Sequence, residues 1–401
     1  MNTPLADRPD DFGRYLTVLP GWRAFVAASV GKPMVMLGEA EYAALVHEAE
    51  SDALAKDEKN TYDEDRLDHH ARLQVVATST VRHTVTCGRR LVILNRGAIS
   101  ARRGLIVTGP ANTGKTISLT QLGLAHELQD RRRHPGQDER IPVIYITVPP
   151  AATPRMIAAE FARFLGLPVL RSSNITDLIE SVVGVCTKAR SGLVLVDEIH
   201  NISLDTRTGA EASDTLKYFS ERIPATFAYA GIDIENSSLL TGTRGDQIAA
   251  RFTSVATHPF PYNAEWKGLV AQMEANLLLH QHKRGTITRL DRFLHTRTDG
   301  MIGTLSHQLR GAAVDAILTG TEKITKAGLL AVDLDIASRR KRPGGPSATN
   351  DEGCRSNQGS KVHEQAVSSA QQASDVGRPL KGSAPNPLCQ SRSSQAYWMI
   401  H

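Results

Sequence analysis

The feature that most constrains this chain is a glycine-rich loop between an apolar strand and a helix. Residues 105–108 read Leu-Ile-Val-Thr, and residues 109–116 read GPANTGKT, which fits the pattern G-x-x-x-x-G-K-[ST]. The two glycines let successive N–H groups point inward, and the helix that follows adds the positive end of its dipole. The loop therefore predicts a phosphate-binding site. A glycine-rich turn that carries a lysine by chance is the alternative, but strand, loop and helix (residues 117–128) occur in the required order.

We expect every residue of this loop to contribute to nucleotide binding. The predicted binding residues are Gly109, Pro110, Ala111, Asn112, Thr113, Gly114, Lys115 and Thr116. The Lys115 ammonium would reach the β and γ phosphates, and the Thr116 hydroxyl would bind Mg²⁺. The predicted ligands are ATP and Mg²⁺.

A second apolar run ends in two acidic residues. Residues 193–196 read Leu-Val-Leu-Val, which is typical of a buried parallel strand, and Asp197 and Glu198 follow. Asp197 would hold Mg²⁺, usually through water, and Glu198 would polarise a water for attack on the γ-phosphate. Since binding alone requires only the first acid, the second favours hydrolysis. Acids that merely cap a helix are the alternative, but the interval from Lys115 to Asp197 has room for two strand–helix units.

Four regions follow from the hydrophobic pattern and the composition. We predict a mainly helical, partner-binding region at residues 1–84, with a polar break at 48–65. Residues 85–262 alternate strands and helices, and the clearest strands are 104–108, 143–147, 193–196 and 226–230. This alternation predicts an α/β fold, a parallel sheet flanked by helices with ligand chemistry at the strands' carboxyl ends. Residues 263–337 return to helical spacing, and residues 338–401, rich in Ser, Gly, Pro, Gln and Asn, are predicted to be disordered.

Arg251 is a third candidate catalytic residue. It is predicted to lie late in a helix after the fourth strand. From there an arginine could reach the γ-phosphate of a neighbouring subunit and stabilise the transition state, so that active sites would be shared between protomers. A solvated arginine that only supports a helix dipole is the alternative, and Arg244 is the second candidate.

The charge distribution gives little support for nucleic-acid binding by the folded body. The formal charge is +5, from 47 basic and 42 acidic residues, and the excess lies after residue 338. Candidate phosphate contacts are Arg155, Lys188, Arg190, Arg207 and the basic run at 339–342, although each is also an ordinary solvated charge. The sequence has no recognition-helix pattern, so any DNA binding is expected to tolerate different base sequences.

Cysteine usage and hydropathy bound the compartment. The four cysteines, at 87, 186, 354 and 389, form no C-x-x-C pair and no metal-binding pattern. We find neither an apolar run of membrane-spanning length nor a signal-peptide pattern. The sequence therefore predicts a cytoplasmic protein with no zinc site and no membrane association.

The order of these motifs resembles that of AAA+ ATPases: GPANTGKT, LVLVDEIH, an IAARF segment and then a helical lid. Two flanking stretches, YDEDRLDHHARLQVVAT (62–78) and TLSHQLRGAAVDAI (304–317), resemble transposition ATPases of the TniB/TnsC type, and the likeness covers about residues 60–335. The resemblance implies an ATP-dependent homo-oligomer, a ring or filament, that assembles on duplex DNA and recruits or activates a transposase or target-selection protein. It also implies that Arg251 acts in the neighbouring subunit.

Two departures from this family pattern predict slow or partner-dependent hydrolysis, which suits a switch. Residues 228–231 read Ala-Tyr-Ala-Gly, where many AAA+ proteins place a polar sensor after the fourth strand, and residues 300–304 lack the lid arginine. Two other functions remain open at this stage. One is a signalling or defence ATPase of the AAA+ or STAND type that senses a protein partner, and the other is a scaffold that binds ATP without turnover.

Overall fold

The computed structural model describes residues 16–31, 34–72, 75–170, 174–203, 205–236 and 249–334. All of them belong to one compact unit. The predicted disordered tail after residue 338 lies outside the described residues.

Four helices precede the sheet: α1 Leu19–Ser29, α2 Glu39–Glu48, α3 Ala53–Ala71 and α4 Ser79–Asn95. Helix α3 occupies much of the segment that was predicted to be a polar break, so that prediction was wrong. Its start is capped by the Asp52 carboxylate, which accepts from the Leu54 N–H, and Lys59 pairs with Asp63 one turn later at 2.6 Å. Helix α4 runs across residue 84, where the sequence predicted a domain boundary.

The central sheet has five parallel strands in the order β2-β3-β4-β1-β5. The strands are β1 Gly104–Thr108, β2 Val143–Thr147, β3 Leu193–Asp197, β4 Thr226–Gly231 and β5 Phe252–Ala256, and the helices between them are α5 Lys115–Arg133, α6 Pro154–Phe164, α7 Ile175–Lys188 and α8 Arg207–Arg222. The four predicted strands are all present, and β5 is an additional strand at one edge. The predicted α/β fold with a parallel sheet flanked by helices is confirmed.

Strands β1 and β3 are separated by β4, which pairs with both of them. Because all strands run in the same direction, the segments after Thr108, Asp197 and Gly231 meet at one edge of the sheet. The first hydrophobic core fills the space between the sheet and its helices, and it includes Trp22 from α1, stacked on Tyr145 of β2.

A helical lid follows the sheet and has its own core. Its helices are α9 Ala264–Ala275, α10 Asp291–Thr298, α11 Ile302–Leu318 and α12 Lys326–Ala331. Trp266 and Leu305 are fully buried at the centre of this second core. Val76, which lies before α4, is buried in the same core, so the N-terminal part of the chain contributes to both cores.

A buried ionic cluster joins α3 to the lid. Both guanidinium NH₂ groups of the fully buried Arg66 donate to the Glu322 carboxylate, at 2.7 and 2.8 Å, and one also donates to Asp63. The phenol of Tyr42 donates to Glu322 at 3.0 Å. We call Arg66, Asp63, Glu322 and Tyr42 the Arg66 cluster.

Candidate nucleotide-binding site

The glycine-rich loop lies between Thr108 at the end of β1 and Lys115 at the start of α5. Gly109 has φ +145° and Gly114 has φ +88°, in the region that favours glycine. A Cβ atom on Gly109 would lie 2.2 Å from the Thr257 carbonyl oxygen, so a larger residue does not fit there. Pro110, Ala111 and Asn112 are exposed at the tip of the loop, and Thr116 is half-buried in the first turn of α5.

The Lys115 side chain is enclosed by the loop. Its Nζ atom donates to the Pro110 carbonyl oxygen at 2.6 Å, and the residue is 8% exposed. Burial lowers the pKa of the Lys115 ammonium, while the charges of Glu198 and Asp197 oppose that shift. The ammonium and both acids therefore lie at the same edge of the sheet.

Two threonine hydroxyls stabilise the conformation of the loop. Thr113 Oγ1 donates to the Pro110 carbonyl oxygen at 2.7 Å and lies 2.6 Å from the Thr257 hydroxyl. Thr257 in turn donates its hydroxyl to the Thr108 carbonyl oxygen at 3.0 Å. Thr257 follows edge strand β5, so the loop is supported from a neighbouring strand as well as from its own.

Asp197 ends β3 and is buried. Its Oδ2 atom accepts from the Tyr145 hydroxyl at 2.9 Å, and its Oδ1 atom accepts from the Glu198 N–H at 2.8 Å. Burial, followed by the Asp197 charge, raises the pKa of the Tyr145 phenol well above its usual value, so Tyr145 remains a donor. Each carboxylate oxygen can accept a further bond, which leaves Asp197 able to bind a metal or a metal-bound water.

Glu198 has a left-handed backbone and a partly open side chain. Its φ is +55°, and its side chain is 41% exposed and lies 3.3 Å from His200 Nε2. The side chain makes no capping hydrogen bond to the short 3₁₀ turn Ile199–Asn201 that follows. The alternative in which this acid only caps a helix is therefore not what the structure shows.

The lid touches the loop through its backbone. The Gly303 N–H, in the first turn of α11, donates to the Asn112 carbonyl oxygen at 3.0 Å. A Cβ atom on Gly303 would lie 3.1 Å from that oxygen, so the close approach depends on glycine. At residues 300–304, where the sequence lacks the lid arginine of the family pattern, the start of α11 therefore contacts the loop directly.

An apolar cavity lies beside the loop, between the start of α4, the start of α5 and the lid. Thr113, Gly114 and Ser118 line it on the loop side. Its apolar lining comprises Val75, Val76, Val81, Ile117, Phe260, Met273 and Ile302. A cavity of this character next to a phosphate-binding loop suits the flat ring of a nucleotide base.

A comparison with known protein families found one match. The family described as "Bacterial TniB protein" matches residues 89–262, somewhat less than half of the chain. This segment is therefore similar to that family. It includes the phosphate-binding loop, the acidic pair and all five strands.

The fold of the matched segment and the lid also occurs in solved structures. The ORC1 protein of Aeropyrum pernix, solved in complex with DNA, is 14% identical with a TM-score of 0.50, and the match covers 67% of this chain and 66% of that one. The ORC2 protein of the same organism in its ADP form is 16% identical with a TM-score of 0.51, covering 65% and 70%. This chain thus spans about two thirds of the length of these proteins, and at such identity the likeness shows the fold. A comparison with curated protein sequences found no match.

Arg251 lies at the opposite edge of the sheet from the phosphate-binding loop. It occupies the turn immediately before β5, and its carbonyl oxygen accepts from the N–H of Gly104, the first residue of β1. The length of β1 separates it from the phosphate-binding loop by roughly 13 Å. Its guanidinium is 3.5 Å from Glu221, and its side chain is 41% exposed. The structure therefore brings the loop and acidic pair together without Arg251.

The candidate DNA contacts have ordinary surface environments. Arg207 pairs with Glu211 at 2.9 Å and Arg155 donates to the Leu170 carbonyl oxygen at 2.7 Å. Lys188 ends α7 and Arg190 lies two residues further on, with φ +56°. Arg244 and the run at 339–342 lie outside the described residues. Contacts between any of these residues and DNA stay predictions.

Neither metal clusters nor membrane spans were found in the described part of the chain. No group of three His, Cys, Asp or Glu residues there could hold a metal ion. None of the helices in these ranges is long and apolar enough to cross a bilayer.

Sequence reasoning missed Thr257, Gly303 and the lining of the apolar cavity. These residues act through contacts between distant segments, and only one local signal was available: a polar threonine directly after the short apolar segment at the end of β5. Tyr229, in the segment 228–231 where a polar sensor was expected, is 5% exposed and stacks on Phe252 with ring centres 4.7 Å apart. It is therefore a core residue.

Proposed function

We propose that this protein is an oligomeric, ATP-hydrolysing regulator of DNA transposition that assembles on duplex DNA and recruits or activates a transposase. One observation carries the proposal: Lys115, Asp197 and Glu198 lie at one edge of a core that is similar to the TniB family. Binding needs the lysine and the first acid, whereas an acid placed like Glu198 is required for turnover.

The residues of the site divide the chemistry between them. The loop N–H groups and Lys115 would bind the triphosphate, and the apolar cavity would take the base. Thr116 and Asp197 offer hydroxyl and carboxylate oxygens, the donor set that Mg²⁺ prefers, and Mg²⁺ held there would supply positive charge to the β and γ phosphates. Glu198, more open to solvent than Asp197, would take a proton from the attacking water.

Variants of Lys115 and Glu198 test the ATPase assignment. Lys115→Ala is expected to abolish ATP binding because it removes the charge enclosed by the loop, whereas Glu198→Gln should bind ATP and fail to turn it over. Binding of a fluorescent ATP analogue and phosphate release measure the two steps, with Lys56→Ala at an exposed position as the control. Hydrolysis by Glu198→Gln at the parent rate would show that Glu198 is not the base.

Arg251 supports a site shared between protomers. Its place at the amino end of β1 puts the Lys115 of its own chain out of reach, so it could act only on ATP bound by a neighbour. We infer that it completes the neighbour's site and that turnover requires an oligomer.

Mixing experiments test this shared site. Arg251→Ala should bind ATP yet lose turnover, and mixing it with Lys115→Ala should restore part of the activity, because a mixed oligomer contains some complete sites. Arg222→Ala is the matched control, since Arg222 is also 41% exposed and pairs with a surface glutamate, Glu180. Mixed oligomers that form without any recovery of activity would exclude the shared site.

Assembly on DNA is the third part of the proposal. With ATP or a slowly hydrolysed analogue, the protein should form a ring or filament on duplex DNA and disperse after hydrolysis. Contacts to phosphates predict an affinity that falls steeply with salt and changes little with base sequence. Electron microscopy and salt-titrated binding test this expectation. Absence of DNA binding at low salt with ATP would instead favour an ATPase that senses a protein partner.

A further inference from the structure

The segment after β4 is connected to both halves of the nucleotide site. The Ile234 N–H donates to the Thr108 hydroxyl at 3.0 Å, immediately before the phosphate-binding loop. Two residues earlier, the Ile232 N–H donates to His200 Nδ1 at 3.3 Å. Residues 231–234 thus link the base of the loop to the imidazole of His200.

This contact fixes which ring nitrogen of His200 carries the proton in the neutral imidazole. A backbone N–H can only donate, so Nδ1 is the acceptor and Nε2 carries the hydrogen. Nε2 lies 3.3 Å from Glu198 Oε2. His200 therefore presents an N–H group to the Glu198 carboxylate.

A hydrogen bond and close packing fix the backbone around Glu198, whereas its carboxylate is partly open to solvent. The Glu198 N–H donates to the Asp197 carboxylate. A Cβ on Gly231 would lie 3.1 Å from the backbone nitrogen of His200, so the turn packs tightly against the end of β4. The Glu198 side chain, in contrast, is 41% exposed. The His200 imidazole lies 3.3 Å from that carboxylate.

The end of β4 itself offers no polar side chain toward the site. Residues 228, 230 and 231 are Ala, Ala and Gly, and Tyr229 packs on Phe252 in the core. The backbone N–H of Ile232 is a polar group at this end of β4, and it contacts the imidazole of His200.

We propose that His200 is a positioning residue for Glu198, which it orients for water activation while being held itself by Ile232. The inference rests on the proposed ATP hydrolysis. In that reaction the water oxygen bonds to the γ-phosphorus, the bond to the ADP oxygen breaks, and Glu198 accepts the water proton and releases it to solvent. His200 keeps its own proton throughout and only restrains the carboxylate.

Two substitutions separate the two contacts of the imidazole, the hydrogen bond from Ile232 and the approach of Nε2 to Glu198. The longer His200→Gln side chain can place an amide N–H near the position of Nε2, and so can still donate to Glu198. The shorter His200→Asn side chain can accept from Ile232 near the position of Nδ1 but does not reach Glu198. If His200 had a purely structural role, His200→Asn should keep more activity than His200→Gln. If His200 positions Glu198, His200→Gln should keep more activity.

The experiment measures kcat, KM and ATP affinity of the full-length variants with and without duplex DNA. His200→Asn and His200→Ala should lose roughly 10- to 100-fold in kcat, the scale of effect that misplacement of a reacting group produces, with ATP affinity unchanged. His200→Gln should stay within a few-fold of the parent. His47→Ala, whose parent side chain is 87% exposed on α2, is the control for histidine removal.

Three outcomes distinguish the two proposals. Equal loss in His200→Gln and His200→Asn, or no loss in either, would overturn the positioning role while leaving the ATPase assignment intact if Glu198→Gln is inactive. A loss of ATP affinity that matches the loss of kcat would show that His200 has a structural role in the site and does not position Glu198. A parent protein that binds no ATP, or turns none over with DNA present, would overturn both.

Discussion

The Arg66 cluster yields a quantitative prediction about stability. Arg66 is fully buried, and the Glu322 side chain is 3% exposed. Burial alone would raise the pKa of the Glu322 carboxyl, but hydrogen bonds from Arg66 and the His280 backbone hold it below its usual value. Glu322 is therefore charged and depends on Arg66 for compensation.

Replacement of Arg66 by Met keeps much of the volume and removes the charge. Glu322 and Asp63 then lose their guanidinium partner, and two stacked contacts disappear as well, in which the Arg66 guanidinium carbon lies 5.1 Å and 5.0 Å from the ring centres of Tyr42 and Tyr62. Breaking a buried ion pair from one side costs about 3–5 kcal/mol. Such a loss is a large fraction of the stability of an ordinary domain.

A double-mutant cycle provides the measurement. Urea unfolding, followed by far-UV circular dichroism at pH 7, should show the loss of about 3–5 kcal/mol for Arg66→Met and a smaller loss for Glu322→Gln. The double variant Arg66→Met/Glu322→Gln should recover part of the loss, since Glu322 then no longer leaves a buried charge without a partner. Strictly additive losses, or a loss under about 1 kcal/mol in Arg66→Met, would contradict the reasoning.

Two further predictions concern the P-loop strand and helix. Burial lowers the pKa of His126 from 6.5 to about 4, so the unfolded chain binds more protons between those pH values. As the pH falls through this window, the parent should lose up to about 3 kcal/mol more unfolding free energy than His126→Gln. Equal losses for the two proteins between pH 7 and pH 4.5, measured by urea titration, would refute the lowered pKa of His126. Gly109→Ala should lose nucleotide affinity because its Cβ would clash with the Thr257 carbonyl oxygen, whereas Gly184→Ala on α7, where a Cβ meets nothing within 4 Å, should keep its affinity. Titration with a fluorescent ATP analogue compares the two variants. Unchanged affinity in Gly109→Ala would show that the loop can move enough to accommodate the added Cβ.

The sequence was most informative where function depends on consecutive residues. The turn at Gly109 and Gly114 and the acids after β3 are local patterns, because a tight loop and a buried strand each impose their own residue types. The strand Phe252–Ala256 was harder to predict because edge residues such as Thr253 and Ser254 are exposed and lack an apolar run. The first part of helix α3, which lies in the predicted polar break, was missed for a related reason, since it has few buried positions, among them Ala55.

Other parts of the site could not be predicted because they depend on pairs of residues far apart in sequence. Thr257 reaches the loop from β5, Gly303 reaches it from the lid, and Ile232 orients His200 from the end of β4. Each is a small or apolar residue, or a common threonine, and none has a chemical signature of its own. Their effect arises from close approach, which only the folded chain reveals.

The apolar cavity beside the loop lies between the lid and the segment that follows α3, and the Arg66 cluster joins α3 to the lid. Val76 belongs to the lid core, Ile302 begins α11, and α3 is tied to the lid through Arg66 and Glu322. A nucleotide in this cavity would bind one arrangement of lid and N-terminal helices in preference to others, and binding free energies are reciprocal. If a partner protein displaced α3, it would therefore lower the affinity for nucleotide by a certain factor. Bound nucleotide would lower the affinity for that partner by the same factor, without direct contact between the two ligands.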